Sequence, residues 1–115
     1  IVSLDYCRPG SDANAFPADE SLGRAHWRAF GAIARFIRMR LDSTGDIAAA
    51  VRRATGLPAE TFQLADAGRL ASGNRADLVA FDPDEIDGAS DAQSPHRPAK
   101  GILFTLKNGD FVYRA

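Results

Sequence analysis

Two histidines, His26 and His96, and one cysteine, Cys7, are the side chains of this sequence that bind metals through nitrogen or sulfur. Their positions give no HxH, HExxH or CxxC spacing, so we expect no complete zinc site within the chain. His96 stands between Pro95 and Arg97 in a polar stretch. It is predicted to be solvated.

Asp12 is the first candidate for acid–base chemistry. It follows Gly10-Ser11 directly, and a carboxylate on a loop that leaves a strand end is well placed to act as a general base. An Asx-turn or helix cap explains the same spacing and stays open as the structural alternative. A nucleophile, base and orienter built from Cys7, His26 and Asp12 is less favoured, because no elbow motif supports it.

Composition limits the classes of protein to consider. The 115 residues are 45% hydrophobic and 25% charged, which is typical of one ordinary domain. A net charge of −1 gives no overall field for nucleic acid or anionic lipid. No apolar run approaches the roughly 20 residues that cross a bilayer. The single cysteine favours a reducing compartment, so a cytoplasmic location is expected. Because residues 1–3 read Ile-Val-Ser without an initiator methionine, we expect a piece of something larger.

The first half of the chain is predicted to be helical after a strand at 1–6 and a loop at 8–23. A helix from Ala25 has an apolar face with helical spacing, formed by Trp27, Phe30, Ile33, Ala34, Ile37 and Leu41. Arginines occupy its other positions: Arg24, Arg28, Arg35, Arg38 and Arg40. These arginines could form a nucleic-acid-binding or membrane-binding face, or a solvated face paired with carboxylates. The solvated face is favoured because no aromatic residues interleave.

A second helix is predicted from an Asp46 N-cap to Thr55, with a buried stripe and a C-terminal stop at Gly56. Pro58 opens a further turn. The side chains expected to be buried along these two elements are Ile47, Ala50, Val51, Ala54, Phe62 and Leu64.

Strands are predicted in the second half. The segment 69–72 is predicted to be a short strand and turn between Gly68 and Gly73, 76–81 a mostly buried strand, and 84–100 a surface loop. Strands 102–107 and 111–113 flank Asn108-Gly109, the strongest hairpin signal in the chain. Helices first and antiparallel strands last predict an α+β fold, with a helical segment 1–64 and a β segment 65–115.

Four blocks together resemble the C-terminal part of an N-acyl-D-amino-acid deacylase (D-aminoacylase) of the amidohydrolase superfamily. They are Gly10-Ser11-Asp12-Ala13; His26-Trp27-Arg28-Ala29-Phe30-Gly31; Ala50-Val51-Arg52-Arg53-Ala54-Thr55-Gly56-Leu57-Pro58-Ala59; and Gly68-Arg69-Leu70-Ala71-Ser72-Gly73 with Ala76-Asp77-Leu78-Val79-Ala80-Phe81-Asp82-Pro83. The closing Gly101-Ile102 and Lys107-Asn108-Gly109 fit the same family.

The resemblance implies a fold, a cofactor and roles for three residues. The helices would end a TIM-like barrel, and the strands would belong to a small β-sandwich. Zinc would be the cofactor of the intact enzyme. Asp12 matches the carboxylate that binds or faces the metal and handles the proton of the attacking water. His26 and Arg28 match a substrate-side loop, where Arg28 would hold a substrate carboxylate.

The family's zinc ligands, which come from earlier barrel strands, are absent from this sequence. We therefore expect that the chain alone binds no zinc and hydrolyses nothing, as a truncated, excised or decayed copy would. Its expected partner is the missing N-terminal barrel region or a second copy of itself, not nucleic acid or membrane. The alternative is a free-standing, non-catalytic module that self-associates through open strand edges.

Overall fold

Within the described residues, three helices lie in the first half of the chain. The computed structural model describes Leu4 and residues 6–115, and the helices span α1 (Arg28–Thr44), α2 (Ile47–Ala54) and α3 (Gly56–Thr61). The strand predicted at 1–6 lies outside the described residues except for Leu4 and Tyr6, which lie in a bend and a turn. Residues 7–26 contain no helix or strand, so the predicted loop at 8–23 is confirmed.

The ends of the helices follow local capping chemistry. The first helix ends at Gly45, whose φ of 66° is left-handed and whose N–H donates to the Leu41 carbonyl at 2.8 Å. The predicted N-cap of α2 is confirmed, because the Asp46 carboxylate accepts the Ala49 N–H at 2.9 Å. The predicted stop at Gly56 is wrong. Thr55 caps α2, and α3 begins at Gly56.

The buried faces differ in part from the predicted stripes. Ala34 and Ile37 of α1 and Ala50 of α2 are buried as expected. Ile33 and Ile47 are exposed instead, and Phe62 and Leu64, which were expected to pack, also lie on the surface. Phe36 and Arg53 are buried although the predicted stripes did not include them. The buried faces of α1 and α2 are thus shifted from the predicted ones, and the shifted face of α2 includes a charged side chain.

A three-stranded antiparallel sheet forms the second half, in the order β1-β2-β3. Its strands are β1 (Leu78–Phe81), β2 (Ile102–Lys107) and β3 (Asp110–Arg114). Asn108 and Gly109 have φ values of 52° and 91°, which fit the predicted tight hairpin turn. Helices followed by antiparallel strands confirm the α+β class.

The strand predicted at 69–72 is not present. Gly68, with φ 78°, packs so closely on α3 that a Cβ there would lie 2.6 Å from the Ala59 Cβ. Arg69 forms an ion pair with Glu60 of the same helix, and its carbonyl accepts the Asn74 side-chain amide at 3.1 Å. The segment therefore follows the helix surface and has no strand to pair with.

The segment 84–100 connects β1 to β2, packs against α1 and belongs to the core. It was predicted to be a surface loop, but Ile86 is 1% exposed and packs with Ala34, Phe36, Ile37 and Ala50. Glycines permit this approach to α1. A Cβ at Gly88 would lie 2.5 Å from the Gly31 carbonyl oxygen. The prediction failed because this segment has no regular hydrophobic period.

Three arginines on and before α1 bind backbone carbonyls of this segment or of the adjoining Pro83. Arg24 donates to the Ala92 and Gln93 carbonyls, and Arg35 to the Gly88 and Ser90 carbonyls. Arg38 donates to the Pro83 carbonyl and also pairs with Asp42 at 2.7 Å. The expected pairing with carboxylates thus accounts for only part of this surface. None of the helices among the described residues has the length and apolar character needed to span a membrane.

Candidate active site

Asp12 lies in the segment of residues 7–27, called here the site segment. Its carboxylate is 98% exposed, and its φ of 48° is left-handed, a conformation that aspartate tolerates better than most residues. Such a conformation persists where the surrounding structure holds the backbone in place. The site segment thus presents one open carboxylate on a constrained backbone.

The three predicted site residues are linked through the start of α1. The Arg28 Nη2 lies 3.6 Å from the Asp12 Oδ2. The Arg28 N–H donates to the His26 Nδ1 at 3.2 Å, and the His26 ring stacks on Trp27 with centroids 5.2 Å apart. A neutral His26 whose Nδ1 accepts this bond carries its proton on Nε2. The arrangement offers an acceptor, a cation and an imidazole on one surface.

Cys7 has a structural environment. Its thiol is free and half-buried, and no hydrogen bond joins it to His26 or Asp12 among the contacts of the described residues. Its N–H donates to the Leu4 carbonyl at 3.0 Å. The nucleophile, base and orienter considered from the sequence are therefore not assembled here.

His96 is buried, so its predicted solvation is wrong. It is 8% exposed, its Nε2 accepts the Ala25 N–H at 2.9 Å, and its Nδ1 lies 3.1 Å from the Pro17 carbonyl oxygen. Because Nε2 is the acceptor, Nδ1 carries the proton and donates to Pro17. The ring also packs on Phe30, with centroids 4.8 Å apart. His96 thus binds the site segment at two places and stabilises the last turn before α1.

Arg53 is the second buried polar residue that binds this region. It is 4% exposed, its Nε donates to the Cys7 carbonyl at 3.0 Å, and its Nη2 donates to the Leu4 and Cys7 carbonyls at 2.7 and 2.8 Å. Its guanidinium lies over the Phe36 ring at 5.3 Å. A third buried residue, Ser90, donates its hydroxyl to the Trp27 carbonyl at 2.8 Å.

Two carboxylates shape the loops around His96. The Ser21 N–H, 3.0 Å from the Asp19 carboxylate, is the main cause of the lowered pKa of Asp19. The Ser94 N–H likewise lowers the pKa of Asp91, with a further bond from the Gln93 N–H. Asp19 is exposed and Asp91 is half-exposed, and each acts locally by closing a tight turn through backbone donors.

Sequence reasoning missed Arg53, Ser90 and His96. All three bind backbone groups between Leu4 and Trp27 that are far away in the chain. An arginine within a short helix and a histidine beside a proline give no local signal of such bonds. Within the described part of the chain, no three His, Cys, Asp or Glu side chains converge as metal ligands do. These residues do not fit a complete zinc site.

Comparison with known proteins gives the family. Residues 10–113 match the model of the amidohydrolase family, so the chain belongs to that family. It is 37% identical over 114 residues to an N-acyl-D-glutamate deacylase of Alcaligenes xylosoxydans xylosoxydans, a match that covers 98% of this chain and 22% of that enzyme.

Two solved structures share the fold of this region. A crystal structure of D-aminoacylase superposes with a TM-score of 0.77 and 34% identity, over 91% of this chain and 22% of that one. The N-acyl-D-glutamate deacylase of Bordetella bronchiseptica, complexed with zinc and a phosphonate mimic of the tetrahedral intermediate, is the second. It superposes with a TM-score of 0.73 and 34% identity, over 78% of this chain and 19% of that one. The resemblance to D-aminoacylases is thereby confirmed. The chain spans about a fifth of the length of these relatives.

Proposed function

We propose that this chain is the C-terminal portion of a zinc-dependent amidohydrolase that cleaves N-acyl-D-amino acids, and that it contributes Asp12 to the active site. One observation carries the proposal: Asp12 is a fully open carboxylate in a left-handed conformation beside Arg28, at the start of the region that matches the family. The identity to an N-acyl-D-glutamate deacylase supports the substrate class.

In this proposal Asp12 is the general base and then the general acid. Its carboxylate takes a proton from water as the water oxygen bonds to the amide carbonyl carbon. The carbon–nitrogen bond then breaks, and the proton passes from Asp12 to the leaving amine. The free acid and the D-amino acid result. The exposure of Asp12 suits this role, because the carboxylate is accessible to both water and amide.

Arg28 and His26 are proposed to bind the substrate. A guanidinium can hold the α-carboxylate of an N-acyl amino acid through two parallel hydrogen bonds. Arg28 is half-exposed and only 3.6 Å from Asp12, so a bound carboxylate would lie close to the base. The exposed His26 would donate from Nε2 to a second polar group of the substrate.

A chimera tests the catalytic proposal. This chain replaces the matching segment of the N-acyl-D-glutamate deacylase, and hydrolysis of N-acyl-D-glutamate is measured. We expect an active, zinc-containing chimera in which Asp12→Asn lowers kcat by about a hundredfold or more. The matched control is Asp42→Asn, on the exposed side of α1. A folded, zinc-loaded chimera whose kcat is unchanged by Asp12→Asn contradicts the proposal.

The isolated chain is proposed to be inactive and free of zinc. Its support is that the described residues do not form a complete metal-ligand set. Metal analysis and an amide-hydrolysis assay on the 115-residue chain provide the test. We expect substoichiometric zinc and no turnover, and stoichiometric zinc with turnover would contradict this.

The partner is proposed to be the remaining barrel region or, in the alternative of a non-catalytic module, a second copy of the chain. The support is the sheet, where β1 and β3 each have one strand neighbour among the described residues and several apolar side chains are exposed: Val79, Leu103, Phe111, Val112 and Tyr113. Native mass tests self-association. We expect a dimer if the module alternative holds, dissociated by Val112→Lys, whereas a monomer at high concentration contradicts that alternative.

We also propose that residues 1–64 end a TIM-like barrel, that 65–115 belong to a β-sandwich, and that the protein works in the cytoplasm. The division is supported by the element order, and the compartment by the single free cysteine.

A further inference from the structure

The site segment contains no helix or strand, yet buried polar side chains hold its backbone, and two of them bind it on either side of Asp12. Arg53 of α2 binds the Cys7 carbonyl through two donors, and His96 binds the Pro17 carbonyl and the Ala25 N–H. Both come from distant parts of the chain.

Asp12 lies midway between these contacts. It is five residues after Cys7 and five before Pro17, the two carbonyls that Arg53 and His96 bind. A loop of about ten residues with both ends fixed has few conformations compared with a free one. The left-handed backbone of Asp12 is the kind of conformation that such constraint maintains.

The chemistry of the two residues suits this task. The Arg53 guanidinium is a rigid, permanently charged fork, and its bonds to neutral carbonyls are charge-assisted. The His96 ring supplies one donor and one acceptor in fixed directions, and its packing on Phe30 fixes the ring plane.

We propose that Arg53 and His96 are positioning residues for Asp12, which hold the backbone on either side of it so that its carboxylate meets the reacting amide. This inference rests on the proposed function for the role of Asp12. The anchoring itself does not, and it can be measured without activity.

Cys7 is a built-in reporter, because it is the only cysteine and its own carbonyl accepts from Arg53. The rate at which a disulfide reagent labels the Cys7 thiol is measured in the 115-residue chain. We expect Arg53→Met to raise this rate about tenfold, and Arg53→Lys to raise it less. The matched control is Arg52→Met, the exposed neighbour that pairs with Glu60, which should label at the unsubstituted rate.

Two His96 variants separate hydrogen bonding from packing. His96→Phe keeps an aromatic ring beside Phe30 but loses both bonds, and we expect the Ala25 amide to lose its protection from hydrogen exchange. His96→Gln keeps one donor and one acceptor, and we expect partial recovery. Unchanged labelling in both Arg53 variants, or unchanged protection in His96→Phe, overturns the anchoring. A Cys7 rate in the unsubstituted chain equal to that in urea also overturns it.

The kinetic arm uses the chimera described above. We expect Arg53→Lys and His96→Gln to lower kcat by up to about a hundredfold while KM changes less than about twofold. An unchanged kcat in both, with Asp12→Asn inactive, overturns the positioning role and leaves the proposed function intact. A normal kcat in Asp12→Asn contradicts the proposed function instead, while the labelling result still decides the anchoring.

Discussion

The β2–β3 hairpin and the site segment are held in shape by different interactions. In the hairpin, strands that neighbour each other in sequence pair across a turn whose two residues adopt positive φ. In the site segment, bonds from Arg53, Ser90 and His96 reach across 46, 63 and 71 positions of the chain. The hairpin therefore depends on local residues, whereas the candidate site depends on the packing of distant ones.

The largest expected effect comes from Gly88→Ala, which should disrupt the site segment and spare the hairpin. A Cβ at Gly88 meets the Gly31 carbonyl oxygen at 2.5 Å, so the segment that carries Ser90 and His96 must shift away from α1. We expect a loss of about 3 kcal/mol in the free energy of urea unfolding. Gly10→Ala is the control, because nothing lies within 4 Å of its Cβ position. Equal stability in both variants would refute the close approach.

Ser90→Ala tests a single long-range bond. Its hydroxyl is fully buried and donates to the Trp27 carbonyl, which the substitution leaves without this partner. We expect a loss of about 2 kcal/mol, measured by urea unfolding. The control is Ser43→Ala, an exposed hydroxyl bonded within its own helix, with little expected change. A neutral Ser90→Ala would show that the end of the site segment is held by other contacts.

Gly109→Ala tests the local side of the comparison. Its φ of 91° is strained for any residue with a Cβ, although there is space for one. We expect a loss of about 1 kcal/mol and faster amide exchange in β2 and β3. The site segment should keep its protection. Loss of protection at Ala25 in this variant would mean that the two regions are coupled.

The smallest effect concerns pH. The Lys107 ammonium and the Asn108 N–H bond to the Asp77 carboxylate and hold its pKa below the ordinary 3.8. Because the folded-state pKa is lowered, this stabilisation is present above pH 3.8 and disappears as the pH falls through the folded-state value. In Asp77→Asn, the stability of the hairpin should fall less steeply as the pH is lowered from 5 to 2. Amide exchange of the hairpin residues over that pH range measures this. The same dependence of hairpin stability on pH in both proteins would contradict a role for Asp77.

Much of the fold could be predicted from the sequence because its signals are local. The Asn108-Gly109 turn and the Asp46 cap involve neighbouring residues whose chemistry allows few alternatives. The environment of His96 could not be predicted, because its acceptor role depends on Ala25, which is adjacent only after folding. The strand predicted at 69–72 failed for a similar reason, since Gly68 packs against α3.

The residues of the candidate site also fall into a group that the sequence predicted and a group that it did not. Asp12, His26 and Arg28 were predicted from motif order, and the structure places Arg28 beside both of the others. Their assigned roles stay predictions. The residues that hold them, Arg53 and His96, were missed because a buried arginine resembles a surface one in a helical pattern.

The most direct test of this account is the exchange rate of the Ala25 amide relative to the hairpin amides. We expect strong protection of Ala25, since its N–H is buried against the His96 Nε2, and selective loss of that protection in His96→Phe. Hairpin amides such as that of Gly109, bonded to the Ala76 carbonyl, should exchange equally in both proteins. An Ala25 amide that exchanges as fast as an unstructured peptide in the unsubstituted chain would contradict the account.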